Sequence, residues 1–237
     1  CAVFKNQIPS ETLALSFLSK LPKLKTEVFK KMYEGIMDTL VVPTNFGEDT
    51  RILDDFLPSV IDNNKTKLLE FLGAIDTGIK DIEYDDTENE IKFITFHNGR
   101  DGEKHPLNLY NESEGTIKSV ILFIFAQIAL LNDKSIFVDE LNNKLHPLLL
   151  KFIIDLFYAE NSQAQLIYTT HDTTLLNKKF FRRDQIWFVQ KDEFGYSKLI
   201  ALSDYKVRAD ASFEKDYLAG VYGGIPFLKD FKMKAGD

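Results

Sequence analysis

Two short apolar runs, each closing on a polar cluster, constrain the fold of this chain more than any other feature. The first is KSIFVDE (134–140) and the second AQLIYTTHD (164–172). Between them LHPLLLKFIIDLFYAEN (145–161) places Leu149, Phe152, Ile153, Leu156 and Phe157 at helical spacing. A strand apolar on both faces must be covered on both, and alternation with helices supplies the cover. The pattern therefore predicts an α/β fold, a parallel sheet flanked by helices. DQIWFVQK (184–191) reads as a third strand of the same kind. In such sheets the chemistry gathers at the carboxyl ends of the strands. Asp139 with Glu140 and the cluster 169–172 both fall there.

Adjacent carboxylates repel, so a cation or a reaction is expected to hold them together. An apolar strand ending in Asp-Glu suits phosphoryl transfer from ATP. Asp139 would support Mg²⁺ through water, and Glu140 would polarise the water that attacks the γ-phosphate. A strand that simply ends in solvated acids is common, and the pair alone would carry little. His171, at the mouth of the second strand, adds a group able to touch the same phosphate.

A third element precedes them. NESEGT (111–116) leads into the apolar run 116–131, read as a buried helix. Ser113 is an ordinary N-cap residue. It also opens, with Glu114, Gly115 and Thr116, a helix end whose bare N–H groups suit phosphate oxygens. The apolar stretch 120–131 is 12 residues long and contains Gln127, too short by itself to span a bilayer.

Upstream, residues 10–40 show helical periodicity broken at Pro22, and Pro43, Gly47 and Pro58 mark a looser connection. NKTKLLEFLGA (64–74) reads as a short helix capped by Gly73 or Gly78. KDIEYDD and EIKFITFHNGRDG read as two strands joined by the acidic turn 85–89. A division follows: a helical segment over 1–78, then a β-hairpin and catalytic lobe over 79–237. The net charge of −7 argues against a global attraction to nucleic acid or anionic membrane. KLPKLKTEVFKK (20–31) is a local basic run, better read as the wet face of a helix than as a nucleic-acid contact. A single cysteine, Cys1, excludes an internal disulfide and points to a reducing, cytoplasmic setting.

In this order the motifs resemble the core of ABC-type ATPases: Ser-x-Gly, buried helix, strand with Asp-Glu, Leu145-His146-Pro147, then a strand ending in Thr-His-Asp. They are most similar to the AAA-labelled, ABC-like ATPases of bacterial abortive-infection and Septu-type antiphage systems, relatives of RecF and SMC heads. The resemblance runs from about residue 74 to 228. It implies the C-terminal lobe of an ABC-type phosphate-loop NTPase, with a helical and β-hairpin segment before it. Its cofactors would be ATP and Mg²⁺. Ser113 and Gly115 would be signature residues, Asp139 the Mg²⁺-supporting acid, Glu140 the catalytic base and His171 the switch histidine. It further implies a homodimer that sandwiches ATP head-to-tail, gating a nuclease or toxin effector in antiphage defence. Lys144 departs from the family, which often has a small residue there.

One part is missing from the sequence. No G-x-x-x-x-G-K-[ST] stretch occurs in it. The nearest approach, GAIDTGIKD (73–81), follows a helix and opens a strand, the reverse of what a phosphate loop requires. The start on Cys1 leads us to expect the C-terminal two-thirds of a longer protein. The alternatives are a nonhydrolysing pseudo-ATPase scaffold and a DNA-repair head that binds duplex DNA.

Overall fold

The computed structural model describes residues 31, 34–35, 39–42, 51–87, 90–159, 163–208 and 211–225. The helical reading of 10–40, the basic run 20–31 and the connection at Pro43 and Gly47 lie outside the described residues or nearly so. The chain divides into two compact units, Cys1–Thr170 and His171–Asp237.

In the first unit β1 (Leu40–Val42), β5 (Ser135–Val138) and β6 (Gln165–Tyr168) form a parallel sheet with β5 in the middle. Ile136 and Val138 of β5 are buried. Two-sided cover is less complete at β6, where Ile167 is 41% exposed. Both strands stop before their polar clusters, so Asp139 and Glu140 lie in the turn that follows β5 and Thr169 just beyond β6.

Three helix and strand assignments change in this unit. The helix foreseen at 64–74 is the second half of α1 (Arg51–Ala74), which runs through Pro58 and departs from helical geometry at Asn64 instead (φ −139°, ψ 22°). Buried Leu53, Leu57, Val60 and Ile61 carry the first half, so packing outweighs the N–H that Pro58 lacks. Neither glycine caps the helix. Asp76 takes the left-handed position (φ 56°), with Thr77 N–H donating to Leu72 O and Asp76 N–H to Gly73 O, both at 3.2 Å. The expected hairpin is a three-stranded antiparallel sheet, β2 (Ile79–Asp85), β3 (Lys92–Asn98) and β4 (Lys104–Asn108). β4 escaped notice because it contains Pro106, which an edge strand tolerates. The boundary drawn at residue 78 falls in the turn between α1 and β2, elements of one unit.

After the antiparallel sheet the chain enters α2 (Glu114–Leu131), buried along most of its length at Ile117, Val120, Ile121, Ile124 and Phe125. Among the described residues it is one helix long and apolar enough to cross a membrane by length and composition, and 56% of it is buried within the protein. Such burial is what a core helix shows. α3 (Pro147–Ala159) turns Leu150, Ile153 and Ile154 inward. Phe71 of α1 meets Phe123 of α2 and Phe152 of α3, with ring centroids 5.2 and 5.9 Å apart, so three helices share one aromatic contact.

The second unit holds the largest correction. Residues 184–191 do not extend the parallel sheet; β7 (Trp187–Lys191) pairs antiparallel with β8 (Ser197–Ala201). Behind this hairpin Ile186, Phe188, Leu202, Phe213 and Tyr222 form a core that includes α4 (Phe213–Leu218). Phe188 stacks between Tyr217 and Tyr222 at 5.4 and 4.9 Å.

Candidate functional site

The first turn of α2 and the turn after β5 are packed on each other. Ser113 caps the helix, its Oγ accepting from Thr116 N–H at 3.1 Å. The Glu114 and Gly115 N–H groups then have no acceptor among the described residues, as the start of a helix requires. A Cβ on Gly115 would stand 2.9 Å from Lys144 O. Only glycine lets the two backbones approach this closely. Glu114 adds an ion pair to Lys144 at 2.6 Å, exposed at both ends and of small energetic weight.

Lys118, one turn further along α2, is 4% exposed and donates to Glu140 O at 3.2 Å and Asn143 O at 2.7 Å. Burial pushes its ammonium down to about 8 from the ordinary 10.5, with the Glu140 carboxylate pulling the other way. The helix that carries the Ser-x-Gly motif thus holds the acidic turn by its carbonyls. No sequence signal marked this lysine, which sits in a run that reads as apolar helix.

The turn itself is under backbone strain. Glu140 and Lys144 both have left-handed φ, 46° and 61°, at a cost of about 1–2 kcal/mol each for a residue with a Cβ. A glycine at 144 would relieve part of it. What holds Glu140 there is Thr169. Its hydroxyl accepts from Glu140 N–H at 2.8 Å and donates to Asp139 Oδ1 at 2.5 Å. Its backbone bonds Val138 O at 3.1 Å and Leu141 N–H at 3.0 Å. Thr170 Oγ1 donates to Asn142 Oδ1 at 2.8 Å. At the end of β6, Thr169 therefore fixes the acids at the end of β5, and Thr170 ties down Asn142 in the same turn. Sequence reasoning noticed their cluster but singled out only His171 in it, as a contact to phosphate.

Six of the seven residues singled out from sequence (Ser113, Glu114, Gly115, Thr116, Asp139 and Glu140) lie in these two turns of one unit. His171 does not; it is exposed at the head of the second unit. Among the described residues no three His, Cys, Asp or Glu side chains gather to make a protein-only metal site. Mg²⁺ keeps its waters and is held by one or two carboxylates together with phosphate. Asp139, half-exposed and oriented by Thr169, fits that part.

A family profile described as "AAA domain, putative AbiEii toxin, Type IV TA system" matches residues 29–177, more than half of the chain. The chain belongs to this AAA-domain family. The match begins before β1 and ends just after His171, so it takes in all seven residues and leaves out β7, β8 and α4. It starts earlier and stops earlier than the span over which the motifs suggested a relationship. An AAA domain is a nucleotide-binding domain of the phosphate-loop class, and membership makes the coarse activity ATPase-like. No curated protein matches the chain.

Proposed function

We propose that this chain is part of an ATP-hydrolysing head in which residues 113–116 and the acidic turn meet one nucleotide from opposite sides of a head-to-tail dimer. One observation carries the reading: from the mouth of β6 the Thr169 hydroxyl orients the Asp139 carboxylate and holds the backbone of Glu140 at the mouth of the adjacent parallel strand β5. A catalytic carboxylate is useful only if its position is fixed before substrate arrives. Mg²⁺, when bound, neutralises phosphate charge, and Asp139 would hold it through water. The Glu140 carboxylate would take the proton of the attacking water. Closure of two heads would then gate a nuclease or toxin effector in phage defence, in keeping with the toxin named in the family description.

The test is turnover. Glu140→Gln in the full-length protein is expected to keep ATP binding while slowing hydrolysis by about a hundredfold or more. Unchanged hydrolysis removes Glu140 from the role.

A second reading, a nonhydrolysing interaction module, is favoured by one fact: these 237 residues contain no phosphate-loop motif. It separates from the first by the full-length protein's ATPase rate, which it sets at zero for wild type and variant alike.

A further inference from the structure

Glu112 stands immediately before the helix cap Ser113 and belongs to no motif. Its side chain is 8% exposed. Oε1 accepts from Thr95 Oγ1 at 2.6 Å and is 2.7 Å from His97 Nε2. A carboxylate can only accept, so the shared hydrogen is on His97 Nε2. Thr95 Oγ1 also lies 3.1 Å from Leu107 O, but a hydroxyl has one hydrogen, and the shorter contact to the charged group takes it. Both donors are on β3, two positions apart and so on the same face of the strand.

Burying a carboxylate is costly unless its oxygens are bonded, and a surface glutamate at 112 would avoid the cost altogether. The cost is met here by two donors from a different sheet. Between β4 and α2 the chain passes only through the 3₁₀ turn Leu109–Asn111, closed by Glu112 N–H to Leu109 O at 3.1 Å. Glu112 is thus the side chain closest in sequence to the cap that is tied to the antiparallel sheet.

We propose that Glu112 is a positioning residue for the turn 113–116, with His97 and Thr95 as its holders, so that the antiparallel sheet sets where the first turn of α2 is presented. The proposal rests on the reading of 113–116 given above for its functional meaning, but not for its structural test.

That test is amide hydrogen exchange on the full chain, comparing Thr116 and Ile117 with residues 124–130 of the same helix. Glu112→Leu is expected to speed exchange at Thr116 and Ile117 by about tenfold or more and to leave 124–130 unchanged. Glu112→Gln keeps an acceptor at the same place and is expected to restore most of the protection. Should Glu112→Leu not fold, His97→Leu carries the same comparison, since that ring is partly exposed and its loss opens no deep cavity. Equal acceleration along the whole helix, or none at its start, overturns the proposal. ATPase rates of the same variants in the full-length protein then separate the two claims. If exchange responds locally and hydrolysis does not, the positioning stands and the use of 113–116 in hydrolysis falls.

Discussion

Thr169 and Asp139 share a hydrogen bond of 2.5 Å across the carboxyl ends of two parallel strands, and the same hydroxyl receives the N–H of Glu140. One side chain therefore sets both the direction of the first acid and the strained backbone of the second. Thr169→Val keeps the shape and deletes the hydroxyl. It is expected to cost about 1 kcal/mol in urea unfolding, at the low end because the site is open to water. Thr169→Ser is expected to recover most of that. Equal stability of the valine and serine variants removes the hydroxyl from the account.

Lys118 gives a pH signature. Below pH 8 its ammonium is charged in folded and unfolded chains alike, and the full penalty of burying it is present. Between about 8 and 10.5 the unfolded chain holds the proton and the folded chain releases it. The unfolded state then binds more protons, so stability rises with pH across that window. A neutral amine still has hydrogens for both the Glu140 and Asn143 carbonyls. Comparing urea midpoints of wild type and Lys118→Met isolates this group from the other lysines and tyrosines. The wild type is expected to gain on the variant as pH climbs from 8 to 10. A constant difference would mean that the ammonium is better solvated than its burial implies.

Much of this was legible in the sequence, and the remainder was not for definite reasons. β5 and β6 announce themselves because Ile136, Phe137 and Val138, and Leu166, Ile167 and Tyr168, leave no polar alternation for water to use. β7 looked the same in isolation; an apolar strand does not reveal whether its neighbour comes from a crossover or a hairpin. Pro58 suggested a break because propensity is local, whereas the buried leucines around it are a tertiary fact. Ser113, Gly115, Asp139 and Glu140 stand out by residue type and spacing. Thr169, Lys118 and Glu112 do not, since each acts on a group at least 15 residues away that only the fold brings near.

Gly115 has a steric reason to be glycine. At an exposed helix position glycine is usually about 0.5–1 kcal/mol worse than alanine. Here an alanine methyl would meet Lys144 O at 2.9 Å, a backbone atom that moves only with the acidic turn. Gly115→Ala is therefore expected to destabilise by about 1–3 kcal/mol, the usual cost of forcing atoms into a filled space. Thermal or urea unfolding decides the sign. A stabilised alanine variant would show that the two turns are free to separate.

The proposed head-to-tail dimer makes an expectation that no single-head mechanism shares. Residues 113–116 open α2 at its positive end, and in that arrangement they meet the nucleotide held by the other head. Ser113→Arg would place bulk and charge at that end, while Glu140→Gln would remove the base from a head's own nucleotide. Each homodimer carries its defect at both sites, so each is expected to be nearly inactive. In a mixed dimer both defects fall on one nucleotide, and the other keeps an intact base opposite an intact Ser113. Mixing the two full-length variants under conditions of proven subunit exchange is therefore expected to restore hydrolysis to a sizeable fraction of the wild-type rate. If residues 113–116 instead serve their own head, every head in the mixture still has one defect. Mixing then restores nothing, and the in-trans arrangement fails.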